Sequence, residues 1–449
     1  MKTSSHKGKE GGALLMVMLM FLVLMVLSIG MFKLLEFHGI GTVRAQGRVQ
    51  AFWLAEAGLA EFRAQVDPWQ NRAPLANLGL LGTGVVTGRL AGVGAYRVDV
   101  SDYTANGWNN AGSATKQYWI RSTGILPGGT TETVEIRTRI GTLADYIYAT
   151  HDEGSIQFHS GDVIEGRVHS NDRFKINGTP KFKGRVTSAA DWVQYTDSRE
   201  NTYIDPNVFT AGLGLGVSEL NFGQFGTDPI ENLQAGASLG LSGDYDIEFQ
   251  DDQYLYRPHY VDNGGNTPDP WVTNSINARD VIYVTGNAYV EGRVGNTISV
   301  ASEEAVHITG DIVYASSPNN DYSAWPSSYT PDPDELLGLL SKEAVQVDSQ
   351  VSGTGAEPDI NIHAAIYITK ANGAVGTGNP GFGTEDRFKS VGGPSINLIG
   401  SITQYSRGVV GQTNGNGYKK NYSYDSRFID TPPPGIPYSA YEFSEWRLP

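Results

Sequence analysis

The chain holds 8 histidines and no cysteine, so metal or nucleophile chemistry must come from imidazole, carboxylate and hydroxyl groups. Thiolate metal sites, iron–sulfur clusters and a disulfide framework are excluded. His151-Asp152-Glu153, His159 and His169-Ser170-Asn171-Asp172 form the richest polar cluster. Histidines and carboxylates on adjacent turns of a coil could bind zinc, but such a site needs three or four ligands in register and a supporting shell, and the spacing fixes neither. His169-Ser170-Asn171 reads more economically as a hydrogen-bonded corner between strands. The same segment holds Ser, His and Asp, but it contains no G-x-S-x-G nucleophile elbow.

Asp244, Asp246, Glu248, Asp251 and Asp252 invite a calcium reading. Tyr245, Ile247 and Phe249 alternate with the acids, and Tyr254 and Tyr256 carry the alternation on. That is the pattern of a hairpin with one solvated face and Asp251-Asp252 in its turn. The EF-hand order of acids and glycine, a Walker A loop and H-E-x-x-H are all missing from the sequence. Aromatic residues beside Asn-rich turns, Trp108-Asn109-Asn110 and Asn414-Gly415-Asn416-Gly417-Tyr418, could stack on sugars, but turns account for them at less cost. The residues therefore point to no catalytic group, no cofactor and no metal.

The elements that would hold these residues follow from composition. The 449 residues allow two or three domains. A hydrophobic fraction of 40 %, with 23 Tyr, 16 Phe and 8 Trp, is too apolar for a disordered chain. The 55 glycines, without a three-residue period, imply many tight turns rather than collagen. With 33 Lys+Arg against 48 Asp+Glu the formal charge is −15, which argues against nucleic acid as a partner.

Residues 1–12 are polar and basic, and Ala13–Phe32 is then broken only by Ser28 and Gly30. As a helix this run spans roughly 30 Å, the thickness of a bilayer's hydrocarbon core. A secretory signal peptide has a shorter apolar stretch, about 7 to 15 residues, and an A-x-A-like site that does not follow Phe32. The run reads as a single transmembrane helix. Lys2, Lys7 and Lys9, against Glu10 alone, place this end in the cytoplasm, with the bulk of the chain periplasmic or extracellular. Val49, Phe52, Leu59, Phe62 and Val66 continue the helical spacing, and no proline intervenes before Pro68, so one rod is expected over 13–66.

The basic leader ending in Gly11-Gly12, the stretch opening Ala13-Leu14-Leu15, and the string Ala55-Glu56-Ala57-Gly58-Leu59 resemble the N-terminus of PilX-type minor pilins and related pseudopilins. The resemblance implies cleavage between Gly12 and Ala13 by a prepilin peptidase. It also implies packing of the mature helix among other pilin-like subunits in a filament, with Phe52, Ala55, Glu56, Ala57, Gly58, Leu59 and Phe62 as helix docking or packing residues. Major pilins carry Glu five residues after the cut; this chain has Val17, as in minor, tip-like subunits lacking it. Cleavage would leave 30 basic against 47 acidic side chains, a charge of −17, by removal of Lys2, Lys7, Lys9 and Glu10.

Beyond the helix, Val85–Leu90, Ala95–Val100, Gln117–Arg121 and Thr133–Ile140 alternate and read as an antiparallel sheet, the pilin layout of a helix laid on a sheet. From about Asp145 a hydrophobic residue, a bend at Gly and another hydrophobic residue recur, as in Asp162–Val168, Lys181–Val186, Tyr289–Val294, Ile308–Val313 and Leu398–Thr403. This spacing favours a parallel β-helix, although a twisted β-sandwich gives similar strands. Asp228-Pro229-Ile230-Glu231 and Asp332-Pro333-Asp334-Glu335 look like helix starts, the second leading into Leu336–Leu340. Gly166–Asn171, Leu337–Lys342 and Leu398–Ile402 resemble an uncharacterised bacterial domain found behind PilX-like N-termini.

The expected architecture is mainly β: a basic leader (1–12), a transmembrane and pilin-like helix (13–66), a small antiparallel sheet (67–144), a β-helix-like solenoid (145–430, with an insertion at 190–275) and a Pro-rich, aromatic tail (431–449). The expected function is a membrane-tethered structural subunit of a type IV pilus or pilus-like assembly. The competing reading is an anchored β-helix that binds or cleaves envelope polysaccharide, marked by a row of charged side chains exposed near His151 to Asp172.

Overall fold

The computed structural model describes residues 10–66, 75–104, 116–201, 203–222, 229–261, 267–317, 331–349, 358–369, 380–388, 393–412 and 414–448. The leader 1–9, Pro68, Trp108-Asn109-Asn110 and Asp228 lie outside the described residues. The chain is mainly β, with one long N-terminal helix.

Helix α1 runs without interruption over Glu10–Val66, 57 residues, or roughly 85 Å at 1.5 Å per residue. It is apolar enough to cross a membrane. Its C-terminal part lies on an antiparallel sheet of β1 (Gly82–Leu90), β2 (Gly94–Asp102), β3 (Lys116–Ile125) and β4 (Thr131–Thr142), paired in chain order. The C-terminal segment supplies a fifth strand, Tyr438–Arg447, on the free edge of β4. Alternation sends Val86, Val98, Val100, Ile120, Val134 and Ile136 to the helix side, where all are buried with Leu59 and Phe62.

The remainder forms parallel ladders of short strands. One aliphatic column runs Leu239, Ile282, Val300, Leu339, Ile366, Ile402, Tyr148, Val168, Val186, Leu213, each paired in register with the next. A second runs Ile312, Ile362, Leu398, Tyr422, Ile164, Phe182. Both columns face one continuous core. The order in space is not the order in the chain. The earliest strand of this region, Tyr148–Asp152, pairs on one side with Ser395–Ser406 from near the C-terminus, and on the other with Val168–Ser170. The chain thus enters the ladder in its middle, builds outward to Leu213–Gly214, and later returns from the far end at Leu239–Leu241.

Buried ion pairs cross the seam where late strands meet early ones. Arg407 Nη1 lies 2.7 Å from Glu153 Oε2 with both side chains essentially inaccessible, and Lys420 Nζ lies 2.9 Å from Asp162 Oδ2. The Arg407 guanidinium also sits 3.8 Å over the Phe158 ring. Burial pushes the Glu153 carboxyl above its ordinary range, opposed by the Arg407 charge.

The alternation at 245–256 does form a hairpin: Tyr245–Asp251 pairs antiparallel with Gln253–Pro258, and Asp251 takes a left-handed φ of 56° at the turn. Tyr245–Asp251 and Leu239–Leu241 also join the parallel ladders, so these parts of 190–275 belong to the stacked body. The helix expected at Leu336–Leu340 is corrected by the structure. Leu337–Ser341 is a fully buried strand between Ile298–Ser302 and Ile360–Ile368. The Asp332 carboxylate accepts the Asp334 N–H at 3.0 Å and closes a turn instead of capping a helix. Two flanking strands that satisfy the whole backbone override the local capping signal. The other start yields a single turn, Glu231–Gln234, without a side-chain cap.

Candidate functional site

From Leu15 to Phe37 every large apolar side chain of α1 is at least 47 % exposed, and nothing else among the described residues covers them. Burying each such side chain is worth about 1.5–3 kcal/mol, and the run is long and apolar enough to cross a membrane. Two charges within this span, Lys33 and Glu36, pair at 2.8 Å one turn apart. Gly12 and Ala13 lie in the first turn of the helix.

Past residue 50 the same helix is seated on the sheet. Ala51, Leu54, Ala55, Leu59, Phe62 and Val66 are buried, and Phe52 and Ala57 pack at the margin. The approach is close because small residues face each other. A Cβ on Gly124 of β3 would stand 1.9 Å from the Ala51 carbonyl oxygen, and one on Gly58 would stand 2.5 Å from Ser122 Oγ. Ser122, buried within an otherwise apolar row, donates to the Ala55 carbonyl at 2.7 Å. That bond satisfies the hydroxyl without opening the seam.

The margins of the seat are polar and aromatic. Trp446 Nε1 donates to Glu56 at 2.9 Å, and its ring meets Phe52 edge-on at 6.1 Å. Arg63 stacks over Phe443 at 4.8 Å, Tyr96 donates to Glu61, and Arg48 pairs with Glu132. The structure thus brings Phe52, Ala55, Glu56, Ala57, Gly58, Leu59 and Phe62 together on this seat. Sequence reasoning missed its counterparts: Ala51, Ser122, Gly124 and the C-terminal Trp446. Glycine at Gly124 inside a strand pattern was the available signal for a close backbone approach. Trp53 points away from the seat, 65 % exposed.

The other constellations resolve into structural networks. His169 bonds Thr187 Oγ1 through Nδ1 (2.9 Å) and Asn171 Oδ1 through Nε2 (2.8 Å), while Asn171 Nδ2 reaches His151 Nδ1 (2.8 Å) and the Leu220 carbonyl (2.7 Å). Burial lowers the His169 pKa to about 4, with the Asn171 hydrogen bond opposing, so the ring is neutral at physiological pH. His151 stacks on Tyr405 at 4.3 Å, and His159 lies in a different ladder. Glu153 and His169 are buried and take no part in an exposed charged row of the kind polymer binding would use. In the acidic run, Asp246 pairs with Arg257 (2.9 Å), Asp251 with Arg293 (3.2 Å), and Asp244 accepts from Asn287 N (2.8 Å). Gly236-Ala237-Ser238-Leu239-Gly240 does carry the G-x-S-x-G spacing. Ser238, however, enters a strand instead of leaving one, and its Oγ donates to Asp280 at 2.6 Å.

Residues 102–190, which include β3, β4 and the Gly166–Asn171 corner, match a family described as a domain of unknown function, DUF4900. No curated protein matches the chain. Among solved structures, the chain is similar to the competence-associated pilin ComZ from Thermus thermophilus, with 12 % identity, a TM-score of 0.33, and coverage of 90 % of this chain and 98 % of that one.

Proposed function

We propose that the chain is a membrane-tethered structural subunit of a type IV pilus or pilus-like assembly, of the minor pilin or pseudopilin kind. One observation carries this reading: a single unbroken helix whose first half exposes apolar side chains on every face, and whose second half is locked onto an antiparallel sheet. Such a helix is equally suited to lie in a bilayer and, after leader removal, to pack among like helices in a filament. The basic leader sets the N-terminus inside the inner membrane, and the β-rich body is displayed outside. The parallel ladders support reading that body as a β-helix-like solenoid. Its role is mechanical, without a cofactor, and its partners are the prepilin peptidase and other pilin-like subunits.

The test is N-terminal sequencing of the protein from membranes with and without prepilin peptidase, together with proteomics of sheared filaments. A start at Ala13 only where the peptidase is present, and recovery in filaments, is the expected result. Retention of Met1 in both strains and absence from filaments would sink the reading and leave a plain signal-anchored protein.

A further inference from the structure

The ladders bring together three side chains that are far apart in sequence. His307 stands on the outer side of strand Ala305–Tyr314, in register with Tyr289 and Gln346. Asp348 follows strand Ala344–Val347, and Glu385 follows strand Gly381–Thr384, whose last residue Thr384 pairs with Val347. One ligand atom from each of His307, Asp348 and Glu385 lies within 4.8 Å of the others. His307 Nδ1 is 2.7 Å from Asp348 Oδ1.

The imidazole is held in place. Its ring stacks on Tyr289 at 4.7 Å and 16°, and Tyr289 stacks in turn on His259 at 3.6 Å and 8°. His259 is anchored by Asp246, 2.5 Å from its Nδ1, and Arg257 is taken up by the same carboxylate. Arg387, two residues beyond Glu385, turns its guanidinium to the Thr384 carbonyl at 3.2 Å and to the Phe388 ring. Arg257 and Arg387 are thus engaged by other groups, and two carboxylates flank one oriented imidazole.

We propose that His307, Asp348 and Glu385 form a binding site for a borderline divalent transition-metal cation of the Zn²⁺ class, a property separate from the pilus-subunit reading. One nitrogen and two carboxylate oxygens fit such a cation, whose bonds of about 2.0–2.2 Å to these ligands leave further positions for water. Ca²⁺ takes six to eight oxygens and finds too few here. The cation would replace the proton shared by His307 and Asp348, and Glu385, exposed at its strand end, would swing in to complete the set. Three successive strands would then be tied by one ion.

The test uses the full chain in detergent micelles after treatment with chelator. Zn²⁺ is titrated by calorimetry, Co²⁺ by its visible absorption, and folding is monitored by circular dichroism. The site predicts one saturable ion per chain, and at least about tenfold weaker binding in Glu385→Gln and in Asp348→Asn with spectra unchanged, by loss of a direct ligand. His151→Gln, away from the site, keeps full affinity. Absence of saturable binding into the millimolar range would overturn the proposal. So would binding that neither Glu385→Gln nor Asp348→Asn weakens, which would mark adventitious surface coordination only.

Discussion

Replacing Gly124 by Ala tests the seat of the helix, because the new methyl meets backbone. Its Cβ would stand 1.9 Å from the Ala51 carbonyl oxygen and 2.8 Å from the Ala55 nitrogen. No rotamer change relieves a clash with backbone, so α1 must back off the sheet by roughly 1 Å. A gap of that size forfeits about a quarter to a half of each dispersion contact across it. Leu54, Leu59 and Phe62 contribute about 2 kcal/mol each on burial, so the loss is about 2 kcal/mol, within the range for overpacked cores. Gly58→Ala is the control. Its Cβ would meet only the Ser122 hydroxyl at 2.5 Å and the Tyr96 ring at 3.0 Å, both side chains that can turn. The broken Ser122–Ala55 bond costs about 1 kcal/mol, and the gain in helix propensity over Gly, about 1 kcal/mol, offsets it. Hydrogen exchange of amides 50–66 in the full chain reads the difference. Exchange should quicken about thirtyfold in Gly124→Ala and change little in Gly58→Ala. Equal protection in the two variants would refute the close-approach argument.

Arg407→Met strands Glu153 in the core and should cost about 3–5 kcal/mol in urea unfolding, with most of it recovered in the double variant Arg407→Met/Glu153→Gln; additive losses would contradict the pairing. Acid should destabilise the fold through two buried neutral histidines, His169 held by burial at about 4 and His363 held by burial, and further by Arg427, at about 3. Both folded values lie below the unfolded 6.5, so their stabilisation is complete above that pH and is lost as pH falls. At pH 5 each forfeits about 2 kcal/mol relative to neutral pH, which urea midpoints in chelator-containing buffers would record; a midpoint independent of pH from 7 to 5 would contradict it. Deleting 438–449 removes the strand on β4, together with Arg447 from Glu135 and Glu442 from Arg139 and Arg167. Amides 131–142 should then lose protection and the protein should aggregate through the exposed edge; unchanged exchange there would show that the fifth strand is dispensable.

The parts of the fold that were legible are those with a local period. The apolar run of α1, the alternation in Ala95–Val100 and Thr133–Ile140, and the acidic–aromatic hairpin at 245–256 each carry their own geometry. The Gly-bend units at 289–294 and 398–403 also mark real parallel strands. Their order was not legible, because every strand shows the same aliphatic texture and any two could pair. Leu336–Leu340 was misleading for the same reason: what makes it a strand is its neighbours, not its residues. The hydrogen-bonded His169 corner is legible from Ser170 and Asn171 at a bend, whereas His307, Asp348 and Glu385 share no sequence signal, since only the register of three separate strands aligns them.

The placement of early strands on late ones has a consequence for how the chain becomes a finished body. Until Ser395–Ser406 and Lys419–Tyr424 are present, Tyr148–Asp152 and Val163–Glu165 lack the strands that pair with them on one side. Glu153 and Asp162 likewise lack Arg407 and Lys420. The sheet under α1 also waits for its fifth strand, Tyr438–Arg447. Both units are therefore closed by the same C-terminal stretch, and their contacts are largely long-range, the topology that folds slowly and exposes edges while it does so. With no cysteine to staple partial structures, closure rests on packed aliphatic columns and buried ion pairs, which form only when both sides are in place.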